Sequence, residues 1–104
     1  MPLSSKGSTV VCIGVACHDT IAVATDPVLP DGRVLASEIL EAGGGNAATA
    51  AVALARLGVG VSFIGRVGDD GIGGKIREGL AREGVGLEGL RHVAGARSGA
   101  SVII

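Results

Sequence analysis

Residues 41–58, EAGGGNAATAAVALARLG, place three consecutive glycines and an asparagine in front of a run of small apolar side chains. Alanine is the strongest helix former and Gly58 supplies a C-terminal stop, so residues 46–57 are predicted to be helical. The helix is apolar almost all the way round, and a helix of that kind has to be buried. Composition then says what buries it. Phe63 is the one aromatic residue among 104, while 47% of the chain is hydrophobic, so the core must be Val, Ile, Leu and Ala. Those side chains suit helices packed on a parallel sheet better than an aromatic-rich sandwich, and the fold class is read as α/β.

The elements on either side alternate. STVVCIGVA (8–16) is a continuous apolar, β-branched run, expected of a central strand covered on both faces. DTIAVATDPVLPDG carries a short strand into a turn marked by Pro27, Pro30, Asp31 and Gly32, and RVLASEILEA resumes as a strand whose Glu38 and Glu41 imply one wet face. VGVSFIGRV reads as the next strand. DDGIGGKIREGLAREGV reads as a helix, with Ile72, Ile76 and Leu80 on one side, charged residues elsewhere and Gly84 at its end. SGASVII is β-prone and meets the end of the chain without a turn signal. The order drawn is β-β-β-α-β-α-β. Residues 9–16 and 60–66 are expected as neighbouring parallel strands, with 46–58 crossing between them right-handedly and 20–42 standing apart as a flap.

Size and charge narrow the function classes. A chain of 104 residues is at most one small domain, and a cleft needing two lobes would be incomplete. A formal net charge of −1 provides no strong field for nucleic acid or an anionic membrane. The N-terminal apolar stretch is interrupted by Gly14 and stopped by His18 and Asp19, unlike a signal peptide or a membrane span. Cys12 and Cys17 have no second ligand pair, which predicts reduced thiols and a cytoplasmic protein rather than a zinc site.

Three ligands compete for the glycine turn. A nucleotide P-loop fails, because GDDGIGGKI has Asp69 where a glycine is required and Ile76 where a hydroxyl is required. A dinucleotide site is formally matched by Gly43–Ala48 as G-x-G-x-x-A, but the strand before it would bury Glu38 and Glu41. A polyol site uses more of the polar residues. Asp19 follows the first buried strand, ligands gather beyond the carboxyl ends of parallel strands, and Gly44, Gly45 and Asn46 open the helix with backbone N–H groups and an amide. Thr49 adds a hydroxyl one turn along, and the loop has no basic residue to favour phosphate. Each residue also has a plainer reading. The glycines allow a tight turn, Asn46 caps the helix, Asp19 caps a turn, Asp69 and Asp70 serve the start of the second helix, and Cys17 and His18 are packing.

GGGNAATAAVALARLGVGVSFIGRVGDDGIGGKIREGLAREGV resembles the N-terminal signature of the ribokinase-like (PfkB) carbohydrate kinase family. VCIGVACHDTIAV is similar to that family's first strand and its sugar-binding aspartate. The resemblance implies a Rossmann-like α/β/α body with a parallel sheet and a small β lid, the lid strands at about 20–42 and near 98–104. By it Asp19, Gly44, Gly45 and Asn46 contact sugar hydroxyls. Thr49 stands where many members carry a second asparagine. The GGG-x-AATAA form most resembles the sulfofructose kinase branch. The implied activity is transfer of the ATP γ-phosphoryl group to a sugar, with Mg2+, and a homodimer through the lid is among the implied partnerships. The family's catalytic aspartate lies in a late Gly-Ala-Gly-Asp-like motif beside the ATP pocket, and neither motif nor pocket occurs in these 104 residues. The chain is therefore expected to be the N-terminal, sugar-binding part of such a kinase, inactive alone and binding no ATP or Mg2+ by itself. A non-catalytic sugar-binding or scaffold role is the alternative.

Overall fold

The computed structural model of the protein describes residues 9–104, so Ser8 of the first predicted strand lies outside the described residues. Along the chain run β1 (Val10–Ile13), β2 (Cys17–Val23), β3 (Glu38–Gly44), α1 (Asn46–Arg56), β4 (Val61–Gly68), α2 (Gly71–Arg82), β5 (Gly86–Val93) and β6 (Gly99–Ile103). They form two sheets of three strands. The first is wholly parallel in the order β1-β4-β5, and the second has the order β3-β2-β6, antiparallel between β3 and β2 and parallel between β2 and β6.

In the first sheet Val10 pairs with Val61 and Ile13 with Ile64, with α1 in the crossover between the two strands. Both crossovers step in the same direction, so the right-handed rule puts α1 and α2 on one face. Packing agrees: Val61, Phe63 and Val67 of β4 share a buried core with Ala47, Ala48 and Ala51 of α1 and Ile76 and Leu80 of α2. Phe63 is fully buried. A Cβ at Gly65 would lie 2.6 Å from its ring, which is why the next residue on that face has none. The opposite face of the sheet carries no helix among the described residues. Val11, Ile13 and Ile64 are 51%, 72% and 41% exposed there, so β1 is covered on one face and not on both as its composition suggested. An apolar run shows that a strand can be buried, not how many layers exist to bury it. The same holds for α1, whose Ala50 and Ala53 are exposed.

Two boundaries moved and one strand was missed. The predicted run 8–16 is cut at Gly14, whose φ of 150° and approach to Ala47 turn the chain out of the first sheet and into β2. β3 begins at Glu38, five residues after the predicted start at Arg33. β5 was not anticipated because its register against β4 shifts between Ser62 and Ile64, and a bulge erases the period-two pattern that would have marked it.

Candidate functional site

The second sheet joins the first through three short connections: 14–16 into β2, Gly45 out of β3 and 94–98 into β6. Asp19 lies in β2, inside the second sheet rather than in a loop after the first strand. Strand alternation puts Cys17 and Asp19 on one face and His18 on the other. On the Asp19 face the neighbours are Ala42 of β3 and Ser101 of β6. Ser101 Oγ donates to Asp19 Oδ1 at 2.6 Å, and the Cys17 thiol donates to the same oxygen at 3.5 Å. Burial, then the hydrogen bond to Asp19 and its charge, push the Cys17 thiol above its ordinary range. The other oxygen, Oδ2, faces Gly44, where a Cβ would stand 2.6 Å from it.

The three glycines therefore do different things. Gly43 has open space where a side chain would be, Gly44 makes room for Asp19 and Cys17, and Gly45 lies hard against the Val15 carbonyl with φ 94°. Only glycine fits that last position. Gly45 is also the N-cap of α1, and no side chain caps it, so Asn46 is the first helical residue and not the cap. A capping side chain needs a non-helical backbone at its own residue, and Gly45 has taken that place. Asn46 is exposed, two residues after the glycine that borders Asp19. Thr49 is exposed as well, and it borders a cavity of about 780 Å³ whose lining includes Cys17, His18, Glu41, Gly44 and Lys75 and does not include Asp19 or Asn46. Gly44 therefore borders both the Asp19 carboxylate and the cavity that Thr49 shares with His18 on the reverse side of the sheet.

That reverse side has its own polar cluster. His18, 9% exposed, shares a 3.0 Å hydrogen bond between Nε2 and Glu41 Oε1, and Lys75 Nζ of α2 donates to the same oxygen at 2.6 Å. The Lys75 hydrogen bond first and the His18 hydrogen bond second hold the Glu41 carboxyl below its usual range. At the start of α2, Asp70 caps the helix by accepting from Gly73 N at 2.8 Å, and it also accepts from Ser98 Oγ at 2.6 Å and Ser98 N at 2.9 Å. The Ser98 hydroxyl, then the Ser98 and Gly73 amides, lower its carboxyl to about 2. Asp69 accepts from Gly95 N at 3.1 Å. The carboxylates of GDDGIGG are thus employed in tying the 94–98 connection to α2.

Residues 8–104 match the family model described as pfkB family carbohydrate kinase. The chain belongs to the pfkB carbohydrate kinase family. Among its pfkB relatives, a fructokinase of Klebsiella pneumoniae is 42% identical over 76 residues, 73% of this chain and 24% of that protein. A ribokinase of Bacillus subtilis is 34% identical over 95 residues, 90% of this chain and 32% of the relative. The structure of Arabidopsis thaliana ribokinase complexed with ribose and ATP superposes with a TM-score of 0.76 at 28% identity, covering 89% of this chain and 30% of the other. The chain thus spans about a quarter to a third of the pfkB proteins it resembles, and its parallel sheet with helices is an incomplete ribokinase-like fold.

Two pfkB-chain residues escaped the sequence reading. Ser101 sits in a segment noted only for β propensity, and its pairing with Asp19 depends on two strands 82 positions apart meeting in parallel. For Glu41 the sequence indicates only a wet face; the periodicity that puts it there cannot place Lys75 opposite.

Proposed function

We propose that this chain is the sugar-binding part of an ATP-dependent carbohydrate kinase that transfers the γ-phosphoryl group to a sugar hydroxyl. The carrying observation is the state of Asp19: Oδ1 is held by Ser101 and Cys17, while Oδ2 faces Gly44. A carboxylate fixed by one oxygen and presented by the other is prepared to accept from a hydroxyl without further ordering, which lowers the entropic cost of binding. Asp19, Gly44, Gly45 and Asn46 form the proposed contact set, with Thr49 joined to it through the cavity that Gly44 also lines. The relatives act on fructose and ribose by their names, and the sulfofructose-like form of the turn adds a sulfonated hexose to the sugars worth testing.

ATP and Mg2+ are proposed for the whole kinase on the same likeness, one relative being complexed with ribose and ATP. The described residues offer the metal no ligand cluster. Among them no three His, Cys, Asp or Glu side chains gather as a metal site, and Asp69 and Asp70 are engaged by backbone and Ser98. We also propose that copies pair through the second sheet, since Ile39 and Val102 on it are 68% and 75% exposed, and that the protein is cytoplasmic.

The test is Asp19→Asn in a protein carrying the rest of the kinase. Loss of a charged acceptor is worth roughly 1.5–3 kcal/mol, about a ten- to hundredfold fall in sugar kcat/KM with ATP KM unchanged. Undiminished sugar kinetics would remove Asp19 from the site.

A further inference from the structure

We infer that Glu41 is a strap that fastens the back of the second sheet to α2, and so positions Asp19 on the front of that sheet. All three chain connections of this sheet, 14–16, Gly45 and 94–98, lie at its base, on the side of the first sheet. Connections at one end leave a sheet free to swing unless something holds it farther out. Glu41 is three residues up β3 from Gly44, roughly 10 Å along a strand. There its carboxylate takes Lys75 Nζ from α2 at 2.6 Å and shares a bond with buried His18 of the neighbouring strand at 3.0 Å. Asp70 and Ser98 fix the base, but Glu41 acts with a lever arm.

The bond to His18 gives the strap its direction. It restricts the Glu41 side chain, which would otherwise wander at 53% exposure, and it transfers any pull from Lys75 to β2, the central strand. Asp19 is the residue after His18 and points to the opposite face. A shift of β2 relative to α2 therefore moves Asp19 relative to α1 and its glycine turn. Glu41 and Lys75 are positioning residues, and this consequence for Asp19 rests on the proposed sugar site; the strap itself does not. An exposed ion pair biases a position and does not lock it, so the expected change in the ratio of fastened to loose sheet is about 1.5- to 5-fold.

Residual dipolar couplings of the backbone amides in the 104-residue chain read this directly. In the wild type, β2, β3 and β6 fit the same alignment tensor as β1, β4 and β5. Lys75→Met and Glu41→Gln each reduce the tensor magnitude of the second sheet alone, and the exchange Glu41→Lys with Lys75→Glu restores it. Retention of one tensor of undiminished magnitude in both single variants overturns the strap. Titration with fructose and ribose forms the second arm. Affinity weakened about 1.5- to 5-fold by Lys75→Met and recovered in the exchange supports positioning, whereas a loosened sheet with unchanged affinity overturns it. Failure of the wild-type chain to bind either sugar counts against the sugar-site reading, and the couplings still decide the strap.

Discussion

A methyl group at position 44 would collide with Asp19 Oδ2 and press on Cys17 Sγ, 3.0 Å away, yet the backbone there has no left-handed φ. Gly44→Ala therefore pushes the tip of one short side chain rather than the main chain. The expected result is a modest loss of stability, about 1 kcal/mol, with a larger loss of sugar affinity, and calorimetric melting beside sugar titration separates the two. Asp70 makes a different kind of prediction. Its carboxyl is lowered to about 2, below the unfolded value near 3.9, so the stability it contributes is present above pH 4 and is lost as the pH falls toward 2. Asp70→Asn should lower stability at pH 7 and flatten the acid limb between pH 4 and pH 2 in denaturant titrations. A mutant whose acid limb matches the wild type would mean that other carboxylates govern it.

Among the elements, β4 carries the most. It is the centre of the parallel sheet, it meets both helices, and its Phe63 has no exposure at all. Phe63→Ala should cost about 3–5 kcal/mol, the usual range for emptying an aromatic site. A domain of this size has a total stability of roughly 5–15 kcal/mol, so the variant is expected to lose a large share of it, read as a lowered urea midpoint. The join between β3 and α1 is as sensitive for another reason. Gly45 combines φ 94° with contact against the Val15 carbonyl, so Gly45→Ala strains backbone on both sides and should lower the urea midpoint more than Gly44→Ala does. Equal midpoints would show that the connection can relax.

At the scale of the molecule, the two sheets lie side by side and leave a flat body of 52 × 33 × 17 Å. Its radius of gyration is 16.0 Å, where a compact domain of this length is expected near ~13 Å. The excess follows from a sheet with helices on one face. Val11, Ile13 and Ile64 line the other face at the exposures given above, and in the isolated chain they should bind an environment-sensitive dye such as ANS; Ile13→Lys with Ile64→Lys should reduce the signal with little change in melting temperature. Purified 1–104 should show no sugar-dependent ATP turnover in a coupled assay. Turnover would require a catalytic base among residues for which the structure shows other duties.

Local chemistry settled the parts of this protein that depend on neighbours in the chain. Alanine content and a terminal glycine made α1, the Ile72–Ile76–Leu80 spacing made the buried side of α2, and Asp70 capped it as its place before GIGG suggested. The parallel pairing of 10–13 with 61–64 followed from two apolar strands and the handedness of a crossover. The order of glycines and Asn46 after a strand likewise pointed to one turn as the candidate site. What depended on residues far apart was decided only when the chain closed. Ser101 reached Asp19 through a parallel pairing, Lys75 reached Glu41 across the gap between sheet and helix, and Gly14 rather than hydrophobicity chose where the first strand ended. Periodicity reports which face of an element is apolar. It has no knowledge of what, if anything, is packed against that face, and that was the information that joined Asp19 to Ser101 and Glu41 to Lys75.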